Sequence, residues 1–233
     1  MKPLIVITGG TKGIGKAIAI IFAKNGFDIA TCARDSNDLT NFKNDIQNLG
    51  SKAYIFQKDL SHKEDCMSFI ENIISLNRNI DVLVNNTGVF IPGQVHTEED
   101  GALEKMIQTN LYSAYHITRG LLKTMISNKK GHIFNTCSTA SITPYINGGS
   151  YCISKYAMYG MNKVLREELK EHSIRVTAIL PGATYTSSWD GVEIPEDRFM
   201  SPKDVAEMVW STYQMSERTV IEEIIMRPQL GDL

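Results

Sequence analysis

Three residues have the types and the spacing that proton transfer to a carbonyl group requires. Tyr151 and Lys155 lie four residues apart, and Ser138 lies thirteen residues before the tyrosine. Residues four apart share one face of a helix, and a neighbouring cation favours the phenolate form of a tyrosine. Tyr151 could therefore donate a proton to a substrate oxygen and take it back in reverse, while the Ser138 hydroxyl orients that oxygen. By itself, a Tyr/Lys pair is more typical of an amphipathic surface helix.

A glycine-rich segment near the start of the sequence indicates a dinucleotide-binding site. Residues 8–15 have the sequence T-G-G-T-K-G-I-G and directly follow an apolar run at residues 4–7. Their glycines permit a tight turn close to a pyrophosphate, which the N–H groups of the following helix would bind. A plain turn between a strand and a helix is the alternative. The loop residues predicted to bind the cofactor are Gly9, Thr11, Lys12, Gly13, Ile14 and Gly15.

The end of the second predicted strand bears on the choice between NAD and NADP. An NAD site places an acidic group there for the ribose 2′-OH, whereas an NADP site places a cation there for the 2′-phosphate. Arg34 could pair with that phosphate through its planar guanidinium, and Lys12 could add a second charge. Asp35 could instead serve a 2′-OH if the strand ran longer, and Arg34 could be a solvated surface residue. We favour NADP(H) as the cofactor.

Asparagines occur at two further positions that could support the site. The sequence Asn85-Asn86-Thr87-Gly88 ends the fourth predicted strand, where the amides could tie strands together and fix the cofactor pocket. A simple turn is the alternative there. Asn110 lies within a long predicted helix, where asparagine is unfavourable. It could hold a water molecule or be an exposed polar residue.

A regular alternation of strands and helices is predicted to position these residues. The seven predicted strands are residues 4–7, 28–33, 52–57, 80–85, 131–136, 174–180 and 220–226. The six predicted helices are residues 16–25, 36–48, 61–76, 99–127, 150–171 and one that begins at 201–202. Ser36 and Ser61 are the predicted N-caps of two of them, and Ser201-Pro202 is predicted to open the last, with proline in its first turn. The pattern predicts one α/β domain over residues 1–233, with a Rossmann-type, doubly wound, seven-stranded parallel sheet and helices on both faces.

One stretch, residues 183–200, has no clear periodicity and leaves the carboxyl end of a predicted strand. Ligands bind outside these ends in doubly wound sheets, so we interpret the stretch as a mobile substrate lid. A passive surface loop is the alternative. The candidates for lining the substrate pocket, chosen only because they neighbour the proposed chemistry, are Val89, Phe90, Tyr145, Trp189 and Phe199.

Composition excludes several other functions. The chain has 233 residues and a net charge of −2, which leaves no large cationic field for nucleic acid. The apolar run at residues 4–7 is too short for a signal sequence or a membrane span. The four cysteines form no C-x-x-C pair and have no accompanying histidine cluster, so we expect buried thiols, no metal and a cytoplasmic protein. They are Cys32, Cys66, Cys137 and Cys152.

Taken together, these motifs resemble the short-chain dehydrogenase/reductase family over about residues 2–209. Residues 8–15 match its T-G-x-x-x-G-I-G motif, and residues 85–88 match N-N-A-G except that Thr87 replaces the alanine. Pro181-Gly182 with Thr186 matches the segment that covers the nicotinamide. The residues that match its catalytic tetrad are Asn110, Ser138, Tyr151 and Lys155.

The resemblance implies a role for each of these residues. Tyr151 would be the general acid, Lys155 would bind the nicotinamide ribose and assist the tyrosine, and Ser138 would polarise the carbonyl. Asn110 would hold a water that relays protons from Lys155 to solvent. The resemblance also implies a homodimer or homotetramer, often built on the long helices that carry Asn110 and Tyr151. The further residues implied in cofactor binding are Asp59, Leu60, Asn86, Gly88, Pro181, Gly182, Thr184 and Thr186, together with Tyr151 and Lys155.

The end of the sequence bears on the substrate. Many bacterial members that reduce 3-oxoacyl thioesters end in G-x-x-x-x-V-D-G-G, whereas residues 222–233 are E-E-I-I-M-R-P-Q-L-G-D-L. The short lid and the R-P-x-x-G-D ending are more similar to sepiapterin-reductase-like members, which implies a pterin side-chain ketone as the substrate of an NADP(H)-dependent carbonyl reductase. The alternatives are a 3-oxoacyl-thioester reductase, an NAD-dependent alcohol dehydrogenase and a non-catalytic dinucleotide sensor.

Overall fold

The computed structural model describes residues 1–189, 191 and 193–233. Seven strands form one parallel sheet in the order β3-β2-β1-β4-β5-β6-β7, which confirms the predicted Rossmann-type fold. The chain builds outward from β1 to β3, then crosses over and builds outward from β4 to β7, so a crevice opens where the direction reverses. The strands are β1 (Leu4–Thr8), β2 (Asp28–Ala33), β3 (Ala53–Gln57), β4 (Val82–Asn85), β5 (Gly131–Thr136), β6 (Ile174–Pro181) and β7 (Glu223–Met226).

Helices cover both faces of the sheet. Strand β1 shows why, since Leu4 and Val6 pack into the core on one face while Ile5 and Ile7 pack into the core on the other. Alternate side chains of a strand point to opposite faces, and burying each such side chain contributes about 1.5–3 kcal/mol. The helices are α1 (Gly13–Lys24), α2 (Ser36–Asn48), α3 (Lys63–Ser75), α4 (Ala102–Ile107), α5 (Ser113–Ser127), α6 (Gly149–Leu169) and α7 (Pro202–Tyr213).

Both predicted N-caps were wrong. Asp35 caps α2, since its side chain accepts a hydrogen bond from the Asp38 N–H at 2.8 Å. Ser61 donates to the Asp59 carboxylate instead of capping α3, which begins two residues later. The last helix does open at Ser201-Pro202, with proline in its first turn, and the Ser201 side chain accepts from the Lys203 N–H at the start of α7.

The long helix predicted over residues 99–127 is interrupted. It consists of α4, a π-helical turn at Gln108–Tyr112, and α5. The Ser113 N–H reaches back to the Gln108 carbonyl, one residue further than in an α-helix. Asn110 lies in this turn with only 1% of its surface exposed, so it is not the exposed polar residue that the sequence allowed.

All four cysteines are buried free thiols, as predicted. Burial raises the pKa of Cys32 and of Cys137 to about 12, and that of Cys66 to about 11, so these thiols stay protonated and unreactive. Within the described part of the chain, none of the helices combines the length and the apolarity that crossing a bilayer requires.

Candidate active site

A single cleft of about 1370 Å³ joins the glycine loop to the predicted proton-transfer residues. It lies at the carboxyl ends of the central strands, where doubly wound sheets bind ligands. The predicted cofactor and proton-transfer residues that line it are Gly9, Thr11, Lys12, Gly13, Ile14, Arg34, Asp59, Leu60, Asn86, Gly88, Ser138, Tyr151, Lys155, Pro181, Gly182, Thr184 and Thr186. Gly15 and Asn110 lie behind this lining.

The glycine loop has the geometry of a phosphate cradle. Gly9 and Gly13 have positive φ angles of 64° and 52°, which favour glycine. A Cβ on Gly15 would lie 2.5 Å from both the Gly9 carbonyl oxygen and the Asn86 amide nitrogen, so the loop packs too closely for any side chain there. Helix α1 begins without a side-chain cap or an acidic residue in its first turn, which leaves its N–H groups and positive dipole end for an anion. The residues present therefore fit a dinucleotide pyrophosphate.

The two asparagines after β4 tie the sheet together, as predicted. Asn86 Nδ2 donates to the carbonyl oxygens of Thr8 and Gly9, both at 3.1 Å, and so fixes the glycine loop against β4. Asn85 Nδ2 donates to Asn135 Oδ1 on β5 at 2.8 Å. These bonds hold three neighbouring strand ends in register at the floor of the cleft.

Charged residues gather at the end of the cleft next to β2. Arg34 is exposed on the cleft wall, and its charge reaches Asp59. Burial opposes ionisation of Asp59, but hydrogen bonds from Ser61 and the charge of Arg34 together lower the pKa of Asp59 below its usual range. The Lys12 ammonium, predicted as a second phosphate cation, pairs with the Asp38 carboxylate at 2.7 Å. Lys58, which the sequence prediction missed, also lines this end.

Tyr151 and Lys155 occupy successive turns at the start of α6 and face the cleft together. The Lys155 side chain is anchored by a 2.8 Å hydrogen bond from Nζ to the Thr136 carbonyl at the end of β5, and its Nζ lies 5.8 Å from the centre of the Tyr151 ring. Ser138 Oγ accepts from the Ala140 N–H at 3.1 Å and donates to the Pro181 carbonyl at 3.5 Å. The second of these bonds is long, so the hydroxyl can turn toward a ligand.

The buried amide of Asn110 connects the cleft floor to α6. Its Oδ1 accepts from the Val89 N–H at 2.7 Å, and its Nδ2 donates to the Val89 carbonyl and to Ser154 Oγ. Ser154 Oγ in turn donates to the Tyr151 carbonyl at 2.8 Å. Both hydrogens of the Asn110 side-chain amide therefore bond to other protein groups. A water molecule in a proton relay could bind Asn110 only at its side-chain or backbone carbonyl oxygen.

A family model for short chain dehydrogenases matches residues 3–196. The chain belongs to the short-chain dehydrogenase family. It is 33% identical to the sepiapterin reductase of Chlorobaculum tepidum, with 100% of this chain and 99% of that protein covered. It is 29% identical to the NADP-dependent 3-hydroxy acid dehydrogenase of Escherichia coli, with 97% and 94% covered. A metagenomic short-chain oxidoreductase solved in complex with NADP matches with a TM-score of 0.85 and 31% identity, over 98% of each chain.

Aromatic side chains line the same cleft as Tyr151 in this short-chain dehydrogenase. Phe90 packs edge-on against the Tyr151 ring, with the ring centres 4.9 Å apart. Burial, followed by the proximity of Tyr151, raises the pKa of Tyr145 above its ordinary value. Trp189 also lines the cleft, as does Val89. Phe199, the remaining candidate, does not line this cleft, because its ring packs against Trp189 at 4.9 Å and borders a separate groove.

Residues 183–200 connect β6 to α7, and positions 190 and 192 lie outside the described residues. Thr184 pairs with Met200 in a parallel bridge, so the two ends of the stretch meet at its base. Thr186 lies directly against the glycine loop, where a Cβ on Gly13 would be 3.0 Å from the Thr186 methyl carbon. The predicted lid motion stays a prediction.

Three residues of the site have no signal in the sequence. Thr136 contributes only its backbone carbonyl, which anchors Lys155. Asp232 forms an ion pair with Arg227 and lies against Gly182, where a side chain would not fit. Glu98 binds the start of α6 from a distant part of the chain. In the described residues no group of three or more His, Cys, Asp or Glu side chains could hold a metal ion.

Proposed function

We propose that the protein is an NADP(H)-dependent carbonyl reductase in which Tyr151 is the general acid. The observation that supports this most strongly is the shared cleft, in which the glycine loop at one end and Ser138, Tyr151 and Lys155 at the other face the same space. A non-catalytic dinucleotide sensor would require only the first of these. In a reductase, the acid must lie beside the cofactor that it works with.

In the proposed reaction the chain's own residues bind and protonate the carbonyl group. Ser138 Oγ donates a hydrogen bond to the carbonyl oxygen, and Tyr151 donates its phenol proton to the same atom. The Lys155 ammonium, held by Thr136, stabilises the negative charge left on the phenol oxygen. Asn110 keeps the first turns of α6 in place through Ser154. Bound NADPH supplies the hydride for the carbonyl carbon.

The preference for NADP(H) over NAD(H) is supported by the side chains beside β2. Arg34 is exposed on the cleft wall, where its planar guanidinium can pair with a 2′-phosphate. Asp35, the alternative partner for a 2′-OH, already accepts a hydrogen bond as the N-cap of α2. The structural relative at 31% identity was solved with NADP, which agrees with this assignment.

For the substrate we propose a ketone on a planar heteroaromatic ring, such as a pterin side-chain ketone. Phe90, Tyr145 and Trp189 line the cleft, and aromatic side chains suit a planar ring that stacks. The similarity to a sepiapterin reductase supports the same class. A 3-hydroxy acid is the second candidate, since another relative is named for that substrate.

The test is NADPH consumption, followed by absorbance, with sepiapterin, a 3-oxo acid, a 3-oxoacyl thioester and a small aliphatic diketone. We expect sepiapterin to have the highest kcat/KM. The Tyr151→Phe variant should lose about 10³-fold in kcat while its NADPH affinity survives, because only the proton donor is removed. Tyr156→Phe, which changes an exposed tyrosine on the same helix, is the matched control. Near-normal turnover in Tyr151→Phe would refute the mechanism.

We further propose a cytoplasmic homodimer or homotetramer in which residues 1–233 form one domain. One sheet takes strands from both ends of the chain, and the four free thiols suit a reducing compartment. Ile153, Tyr156 and Val164 form an exposed apolar stripe on α6 that a second copy could cover. Light scattering on Val164→Glu, against the unchanged protein, tests this assembly, and an unchanged mass would exclude that face.

A further inference from the structure

We propose that Glu98 is a positioning residue that fixes the first turn of α6 and thereby aligns Tyr151 for proton transfer. This inference rests on the proposed function, because it gives Glu98 a part in the reaction assigned to Tyr151. Glu98 lies 53 residues before that tyrosine in the sequence. It acts through the helix and does not line the cleft with the proton-transfer residues.

Helix α6 begins without a cap of its own. Its N-cap residue is Gly148, which has no side chain, and its first turn contains no acidic residue. The first N–H groups of a helix need acceptors from elsewhere. The Glu98 carboxylate is such an acceptor for one of them, since Oε2 accepts from the Ser150 N–H at 3.3 Å, and Oε1 accepts from the Ser150 hydroxyl. Ser150 immediately precedes Tyr151, so the carboxylate holds the residue next to the proposed acid.

The backbone around Glu98 is docked closely against the start of α6. Gly93 and Gly148 form an isolated parallel bridge, and the Gly93 N–H donates to the Asn147 carbonyl at 3.0 Å. A Cβ on Gly149 would lie 2.7 Å from the Gly93 carbonyl oxygen and 2.9 Å from Glu98 Oε2. Glycine at position 149 is therefore what lets the carboxylate reach the helix.

The segment that ends at Glu98, residues 89–98, also reaches Tyr151 at its other end. The Asn110 side chain bonds to both the N–H and the carbonyl of Val89. The Phe90 ring packs against the Tyr151 ring. We name residues 89–98 the bracing segment. It touches the start of α6 through Glu98 and the phenol ring through Phe90, so it controls both the backbone and the side chain of Tyr151.

Lys155 is fixed independently of this segment. Its Nζ is bonded to the Thr136 carbonyl at the end of β5. A small rotation of the first turn of α6 would therefore move the phenol relative to an ammonium that stays anchored to the sheet. Removing the Glu98 carboxylate is expected to disturb this alignment while the glycine loop, on the other side of the cleft, stays as it is.

The experiment compares Glu98→Ala, Glu98→Gln and Ser150→Ala with the control Glu99→Ala, which removes the neighbouring exposed carboxylate. The measurements are kcat and KM for an accepted carbonyl, NADPH affinity by fluorescence, and the melting temperature. We expect Glu98→Ala to lower kcat about tenfold or more with NADPH affinity unchanged, because small misplacements of a catalytic group are costly. Glu98→Gln keeps an acceptor oxygen and should restore most of kcat.

Hydrogen exchange gives a readout that does not depend on turnover. Peptides that contain Ser150 should exchange faster in Glu98→Ala than in Glu99→Ala, while peptides from the glycine loop should not change. If Glu98→Ala does not fold, Glu98→Gln and Ser150→Ala are measured in its place, and an intermediate loss of kcat in Ser150→Ala is expected, because the Ser150 N–H bond remains.

The inference is overturned if Glu98→Ala keeps the kcat of the unchanged protein, or if kcat falls in proportion to NADPH affinity and melting temperature, as a purely stabilising contact would require. Absence of turnover with every carbonyl in the unchanged protein would instead refute the proposed function. In that case unchanged exchange at Ser150 in Glu98→Ala would overturn this inference as well.

Discussion

The two ends of the parallel sheet use charged groups in opposite ways. At the amino end, the Arg78 guanidinium and the Asp28 carboxylate pair at 2.6 Å with 8% and 6% of their side chains exposed. Asp28 also accepts from the Lys52 N–H at 2.9 Å, and Asp81 accepts from the Leu4 N–H at 2.9 Å. At the carboxyl end, the 5% exposed Lys155 bonds to a neutral carbonyl and faces a cleft.

This difference separates groups that stabilise from groups that are proposed to react. A buried charge that pairs with an opposite charge is neutralised within the fold and leaves no net charge to attract a ligand. A buried ammonium that is held only by carbonyl oxygen keeps its charge for the cleft, at some cost in stability. Changes at the amino end should therefore alter unfolding and spare turnover, and changes at the carboxyl end should do the reverse.

The largest effect is expected at the carboxyl end, from Lys155→Met. We predict that kcat falls about 10³-fold, or about 4 kcal/mol in activation free energy, because the charge that supports the proposed acid is removed. The free energy of unfolding in urea should stay equal or increase, since a buried charge is replaced by an apolar side chain of similar length. Lys163→Met, which changes an exposed lysine on the same helix, is the control. Loss of stability in parallel with kcat would contradict the comparison.

At the amino end, Asp28→Asn is expected to lower the free energy of unfolding by about 3 kcal/mol, because it leaves the Arg78 charge without a carboxylate. The activity of the folded fraction should not change. Urea unfolding and kcat measured on the same sample check both statements. Asp45→Asn breaks the more exposed Lys16–Asp45 pair and should cost less than about 1 kcal/mol. An equal cost for both variants would show that burial does not set the difference.

A smaller effect is expected from Arg34→Ala. The dissociation constant for NADPH should rise about tenfold, because a charge-assisted bond to the 2′-phosphate is lost. NADH affinity, which lacks that contact, should be unchanged and is the internal control. The variant should unfold at the same urea concentration as the unchanged protein. Equal weakening for both cofactors would place the 2′-phosphate elsewhere.

The last expected effect is a pH dependence at the amino end of β5. Burial, followed by the charge of Arg175, lowers the pKa of His132 well below its usual value, and Nε2 bonds to Thr177 Oγ1 at 2.8 Å. Below about pH 6.5 the unfolded chain binds a proton at His132 that the folded protein does not bind. The free energy of unfolding therefore falls by up to about 1.4 kcal/mol for each pH unit of acidification. His132→Gln should flatten urea stability between about pH 6.5 and pH 5. An unchanged dependence of stability on pH in the variant would show that His132 is not its source. His116, whose pKa is also lowered, remains in the variant and would account for the dependence instead.

Local patterns predicted the elements well where each element carries its own signal. Residues 131–136 were predicted as a strand with the limits that β5 has. Gly26 ends α1 with a φ of 86°, as its place behind the helix predicted. The cap of α2 was assigned one residue too late, because Asp35 and Ser36 are both good caps and only the backbone geometry distinguishes them.

The parts that the sequence did not predict depend on contacts between distant residues. The π turn at Gln108–Tyr112 brings Asn110 to the Val89 peptide, and no helical periodicity encodes that partner. The Glu98–Ser150 bond joins two segments whose local patterns predict only a loop and a helix start. Phe199 was a candidate for the pocket because it neighbours the proposed chemistry, but its ring packs against Trp189 next to the bridge between Thr184 and Met200, a contact that no local pattern encodes.

The bridge between Thr184 and Met200 also affects how substrate specificity can change. A stretch whose two ends are tied together can be lengthened, shortened or exchanged without moving the strand that it leaves or the helix that it enters. Transplanting residues 187–199 from a relative with another substrate, which keeps Thr186 in place at the glycine loop, should therefore change which carbonyl compound is accepted and leave the sheet, the glycine loop and the melting temperature as they are.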